Sequence, residues 1–179
     1  MAHQLHIAYA DIFSGAGIIA GAPYGCADGS LTTAMSRCMG SLETEMPVAA
    51  LITAIHSAAS DGRVADPAAL ANDPVWLFHG TLDTVVAAGV SNSVEAVYAE
   101  FMPEKNIRYI NTIPAAHNFP VRGHGSDCAV SKSPFIGDCD YDAAGELLQH
   151  LYPDLNAPTA EPATELVTVK LEGAVKAGL

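Results

Sequence analysis

Residues 74–86 read PVWLFHGTLDTVV. Val75 to Phe78 is an unbroken apolar run between Pro74 and the pair His79-Gly80. Such a short run, with no polar alternation and turn residues at both ends, reads as a strand covered on both faces. The segment after it, from Thr84 to Met102, reads mainly as a helix that Pro103 stops. A buried strand leading into a helix is one unit of a parallel sheet, and Asp83 sits just past the strand's carboxyl end. Ligands of such sheets bind along that edge.

The neighbouring segments repeat the pattern. AGIIAGAPYG (16–25) is a second short apolar run bounded by Gly and Pro, and NIRYINTI (106–113) alternates and is rich in β-branched residues. PVAALITAIHSAAS (47–60) reads as a helix with Pro47 in its first turn and Asp61-Gly62 at its end. YDAAGELLQHLYP (141–153) reads as a helix capped by Asp142 and ended by Pro153. The chain opens MAHQLHIAYADIF, in which Leu5, Ala8, Tyr9, Ile12 and Phe13 recur at helical spacing, as on the core face of an interior helix. Residues 114–139 read as loop, and 61–74 as a polar connection. The alternation of helix and strand predicts an α/β fold, a parallel sheet with helices on both faces.

At 179 residues, half of them hydrophobic, one domain can bury a sizeable core. The predicted division is a domain over 1–152, a Pro-rich linker over 153–163, and a strand-like segment over 164–179 (TELVTVKLEG and beyond). Eight Lys and Arg against 20 Asp and Glu leave a net charge of −12. That charge repels nucleic acid and anionic lipid, so a nucleic-acid or membrane partner is not expected. No apolar run reaches the roughly 20 residues of a membrane span. Residues 1–13 lack the zones of a signal peptide.

The four cysteines form two close pairs, Cys26 with Cys38 and Cys128 with Cys139, each around a short polar loop. An even count in such loops suggests local disulfides and an oxidising compartment, each staple being worth about 3 kcal/mol by loop entropy. Zinc fits less well, because no C-x-x-C pair or tight histidine spacing is present. Free buried thiols are the remaining reading. No metal or cofactor is expected.

Two residues follow strand ends in the order acid then base: Asp83 in FHGTLDTVV and His117 in PAAHNFP. An aspartate so placed holds the imidazole tautomer and stabilises the imidazolium formed in catalysis. The plain alternatives are that Asp83 caps the helix starting near Thr84 and that His117 bonds to backbone. A nucleophile elbow needs G-x-S-x-G, and none of the eleven serines meets it: Ser14 has Ile12, Ser60 has Ala58, and Ser91 has Ser93 in a glycine's place. His124 is the rival base. His3 and His6, at i and i+3, read as solvent-facing, and His79 as a residue that satisfies backbone or lines the site. Trp76, Tyr24, Phe119 and Phe135 are candidates for an apolar binding surface, with core packing favoured for Trp76. Asp138, Asp140 and Asp142 invite calcium but lack the rest of an EF-hand loop, and Asp142 reads as a cap.

The runs QLHIAYADIFSGAGIIAGAPYGCA, VWLFHGTLDTVV, AAHNFP and SPFIGDCDYDAAGELLQHLY resemble the extracellular poly(3-hydroxybutyrate) depolymerases of the circularly permuted, single-domain α/β-hydrolase type. The resemblance spans most of residues 1–152. It implies a partial α/β-hydrolase fold, the late half of the sheet, with Asp83 and His117 as acid and base of a Ser-Asp-His ester hydrolase acting on a polyester or small ester outside the cell. It also implies that the serine lies just before the helix that starts at Met1, and that further strands follow the Pro-rich stretch. On that reading the chain is cut at both ends and nearly inactive by itself, with the outer edge of its first strand unpaired. The alternatives are a non-catalytic, disulfide-stapled polymer-binding module and a feruloyl or acetylxylan esterase-like hydrolase.

Overall fold

The computed structural model describes residues 1–40 and 47–156. Helix α1 (Ala2–Ala8) leads through a turn into strand β1 (Ala16–Ile19). A short helix α2 (Leu31–Thr33), capped by Ser30 Oγ accepting from the Thr33 amide, continues as a wider π turn to Cys38. Helix α3 (Val48–Ser60) starts directly after Pro47. A 3-10 turn (Pro67–Asn72), capped by the Asp66 side chain, delivers the chain to β2 (Val75–Phe78). Helix α4 (Ala88–Phe101), β3 (Ile107–Ile110), the short strands β4 (Phe119–Val121), β5 (Ser126–Asp127) and β6 (Ile136–Asp138), and helix α5 (Ala143–Leu151) complete the described order. The Asp142 side chain accepts from the Gly145 amide at 2.9 Å, the capping role read from the sequence.

Strand β2 lies between β1 and β3, parallel to both, with Val75 opposite Ala16 and Ile107. Because side chains alternate across a strand, its four buried residues serve two cores. Val75 and Leu77 pack with Ile18, Ile7 of α1, Ile55 of α3, and Val94, Val97 and Tyr98 of α4. Trp76 and Phe78 face the other way, with Ala143 and Leu147 of α5. There the rings of Trp76, Phe78 and Tyr141 stack at 5.9 and 6.0 Å. Burying each of these side chains contributes roughly 1.5–3 kcal/mol, which makes β2 the densest source of stability in the sheet.

Three expectations need correction. The stretch 114–139, read as loop, contains a second small parallel sheet in the order β4-β6-β5. Its strands are two or three residues long, too short to show a period. The opening helix ends at Ala8, and the stripe expected to face the core faces out: Leu5, Tyr9, Ile12 and Phe13 are all substantially exposed. His3 and His6, expected in solvent, are buried at 1% and 2% exposure. The linker and strand-like segment predicted after residue 152 lie, from residue 157 on, outside the described residues.

Burial of His6 is compensated by partners on both ring nitrogens, and that of His3 by a partner on one. His6 Nε2 is 3.1 Å from Asp73 Oδ2 and Nδ1 is 2.8 Å from the Tyr98 hydroxyl. A carboxylate oxygen only accepts, so Nε2 carries the proton, and Tyr98 donates to Nδ1. His3 Nδ1 accepts the Tyr24 amide at 3.0 Å, and its ring packs on Tyr98 with centroids 4.5 Å apart. Burial, reinforced by the neighbouring His6 and the amino terminus, lowers the His3 pKa from 6.5 to about 3. Burial also lowers the His6 pKa, although Asp73 opposes the shift.

The exit from β2 is equally constrained. The Thr81 amide donates to Ile113 O at 2.9 Å and the Leu82 amide to Ala115 O at 3.1 Å, which zips residues 80–82 to 113–115. A Cβ on Gly80 would lie 2.1 Å from Ala115 O, so only glycine allows this approach.

Two outcomes follow for stability. Since His3 is held neutral in the fold, its contribution is fully present above about pH 6.5. It is lost as pH falls toward 3, by about 1.4 kcal/mol per pH unit for this one group. Thermal melts from pH 7 to 4 should therefore show a falling Tm, and His3→Gln should flatten that limb; an unchanged slope would contradict the assignment. Gly80→Ala should cost about 1–3 kcal/mol in urea unfolding through overpacking against backbone; a loss under about 0.5 kcal/mol would mean the loops are not in forced contact.

Candidate active site

The loop that leaves β2 folds back on itself before α4 begins. His79, buried at the strand end, donates from Nε2 to Val86 O at 2.9 Å and so closes the loop 79–86. Inside it, Asp83 Oδ1 accepts the amides of Val85 and Val86 at 2.8 and 3.0 Å. The capping expected of Asp83 is present in altered form. It does cap a turn, but α4 starts only at Ala88, and its other oxygen is free for a different partner.

That partner is His117. Its Nδ1 lies 2.9 Å from Asp83 Oδ2, across 34 residues of sequence. The Asp83 side chain is 2% exposed and the His117 side chain 34%. The buried carboxylate therefore receives three hydrogen bonds, two from backbone and one from the ring. Nδ1 carries the proton in that arrangement, so the neutral ring presents the lone pair of Nε2. Among the described residues no hydroxyl is hydrogen-bonded to Nε2.

The ring lines a cleft of about 360 Å³ with Ile19, Ala20, Asn118, Phe119 and Phe135. Ile19 and Ala20 stand at the carboxyl end of β1, so the cleft lies on the sheet edge where the strand order predicts a site. Two of its residues hold left-handed backbone without being glycine, Ala20 at φ 48° and Phe135 at φ 61°. Backbone strain of this kind gathers at functional sites. The walls are apolar and the one titratable side chain is His117, a setting for an uncharged substrate with a group to be deprotonated.

The other candidates disperse. His124 is exposed and bonds to Arg122 O at 3.2 Å rather than to a carboxylate. Trp76 is fully buried, and Tyr24 lines a separate groove of about 530 Å³ with Gln4 and Arg63. Of the four proposed for an apolar surface, only Phe119 and Phe135 reach the cleft. Asp138 accepts the Gly123 amide, Asp140 pairs with Arg122, and Asp142 caps α5. Among the described residues no group of three or more His, Cys, Asp or Glu side chains is arranged to hold a metal.

Cys26 bonds to Cys38 and Cys128 to Cys139. The second disulfide closes the loop that wraps the His117 turn. Sequence reasoning picked out that loop by its cysteines, but it missed Asn118 and Ala20. A lone Asn beside a loop histidine, or an Ala at a strand end, carries no chemical signature.

No protein-family model matches the sequence. The chain is 42% identical over 158 residues to a poly(3-hydroxybutyrate) depolymerase of Delftia acidovorans, covering 88% of this chain and 32% of that protein. It is 35% identical over 161 residues to a polyhydroxybutyrate depolymerase of Talaromyces funiculosus, covering 88% and 46%. Two solved structures superpose with TM-scores of 0.78 and 0.77 at 32% identity, covering 89% of this chain and 49% of theirs. They are a PHB depolymerase variant complexed with an R3HB trimer and the PHB depolymerase from Penicillium funiculosum. The chain thus spans between a third and a half of the length of the relatives it matches. Over that span it resembles these depolymerases in sequence and shares with the two solved structures a partial α/β-hydrolase fold.

Proposed function

We propose that this chain carries the acid and base of a serine ester hydrolase acting on a polyester of the 3-hydroxybutyrate type, outside the cell. The observation that carries the reading is the His117–Asp83 pair at 2.9 Å, with the carboxylate buried and the ring open to an apolar cleft. The relatives' names support the substrate class, and the two disulfides support an oxidising location.

The chemistry follows from the two ring nitrogens. A serine hydroxyl brought to Nε2 gives up its proton to His117 as its oxygen attacks the ester carbonyl carbon. Nδ1–H stays on Asp83, which stabilises the imidazolium while the tetrahedral intermediate exists. His117 then protonates the departing alcohol, leaving an acyl-enzyme. Water, deprotonated by the same Nε2, hydrolyses the acyl-enzyme and releases the acid. Asp83 stays ionised throughout, held by the Val85 and Val86 amides on its other oxygen.

The 179 residues contain no G-x-S-x-G. The chain by itself should therefore hydrolyse p-nitrophenyl butyrate no faster than its His117→Ala variant. Removing the nucleophile from a comparable triad costs on the order of a million-fold. A rate that depends on His117 would reveal a nucleophile among these residues and overturn that expectation. In a hydrolase that joins this chain to a G-x-S-x-G segment, Asp83→Asn should lower kcat by about 10⁴ and His117→Ala by at least as much. Unchanged hydrolysis of p-nitrophenyl butyrate and of polymer film by both variants would refute the assignment. Binding to polyester granules without turnover would favour a non-catalytic module instead.

A further inference from the structure

We infer that Asn118 is a positioning residue for His117, gripping the turn that aims the imidazole through the loop closed by Cys128–Cys139. This rests on the reading of His117 as the base. The Asn118 amide donates to Ala116 O at 2.8 Å, so His117 is the apex of a three-residue turn. So tight a turn fixes the ring's direction only if its flanks are held.

They are held from one side. The Ala116 amide donates to Cys128 O at 2.9 Å and the Phe119 amide to Phe135 O at 2.7 Å. Ser131 Oγ donates to the carbonyl of His117 itself at 3.1 Å. The Asn118 side chain, 6% exposed, stands at the centre of these contacts. Its Nδ2 donates to Cys128 O at 2.8 Å and to Val130 O at 3.3 Å, which spends both protons of the amide and fixes its orientation. Cys139 Sγ lies 3.9 Å from Oδ1.

Strand β6 passes close against this side chain. A Cβ on Gly137 would fall 2.5 Å from Asn118 Nδ2, so β6 runs past with glycine at the point of contact. Cys128 is at once a disulfide partner and the residue whose carbonyl Asn118 and Ala116 share. The disulfide thereby anchors the acceptor on which the His117 turn hangs. Asn118 touches the cleft wall but has no free donor, because both are spent on the loop.

Long-range proton–nitrogen NMR correlations of the 179-residue chain read the tautomer of each histidine ring. The unaltered chain should show His117 in a single Nδ1–H form. Asn118→Ala should show His117 averaging between tautomers, while His6 and His79, buried elsewhere, keep their patterns as controls of the fold. A single Nδ1–H form retained in Asn118→Ala would overturn the inference. If that variant loses the His6 and His79 patterns as well, Asn118→Ser decides, since its hydroxyl can still serve one carbonyl. Partial averaging at His117 alone supports positioning. An unaltered His117 pattern, or collapse of all three rings, overturns it. Failure of the base assignment is seen separately, as full ester hydrolysis by His117→Ala in the joined hydrolase with the NMR result unchanged.

Discussion

Strand β2 is flanked by parallel partners on both edges and by packed side chains on both faces, so it has no freedom left when it ends at Phe78. Everything at the cleft starts from that fixed end. His79 ties the departing loop to Val86, Gly80 lets it lie against the 113–115 backbone, and Asp83 is delivered with two amides already on one of its oxygens. Two backbone amides thus hold the carboxylate before the His117 ring is counted. A buried carboxylate with satisfied backbone bonds can wait for an imidazole without paying a large desolvation penalty.

His117 is held in the opposite manner. Its strand, β3, ends seven residues earlier, and the ring is directed by a tight turn and a wrapped loop. Asp83 is thus held by the loop that leaves β2, and His117 by contacts with the loop closed by Cys128–Cys139.

Much of this was legible. Val75–Phe78 read as a doubly covered strand, and Asp83 and His117 stood past strand ends in the order that suggested an acid and a base. What sequence did not reveal has two physical causes. Strands of two or three residues have no period, so the sheet of β4, β5 and β6 looked like loop. On α1, the apolar stripe and the buried face are not the same. Asp73 and Tyr98, 67 and 92 residues away from His6, bond to both of its ring nitrogens and so allow its burial, while Leu5 and Tyr9 stay exposed. Partners that distant leave no mark on local hydrophobicity.

The two disulfides close loops of 12 and 11 residues. Four cysteines allow three pairings, and loop-closure entropy favours the one that joins sequence neighbours. Each bridge can form before the parallel sheet, whose long-range pairing is the slow step of such folds. Closure of either bridge does not require the long-range pairing of the sheet. Cys128–Cys139 in particular would fold the loop around the future His117 turn while β2 and β3 are still apart, so that half of the cleft is a local product of the chain rather than of the finished core.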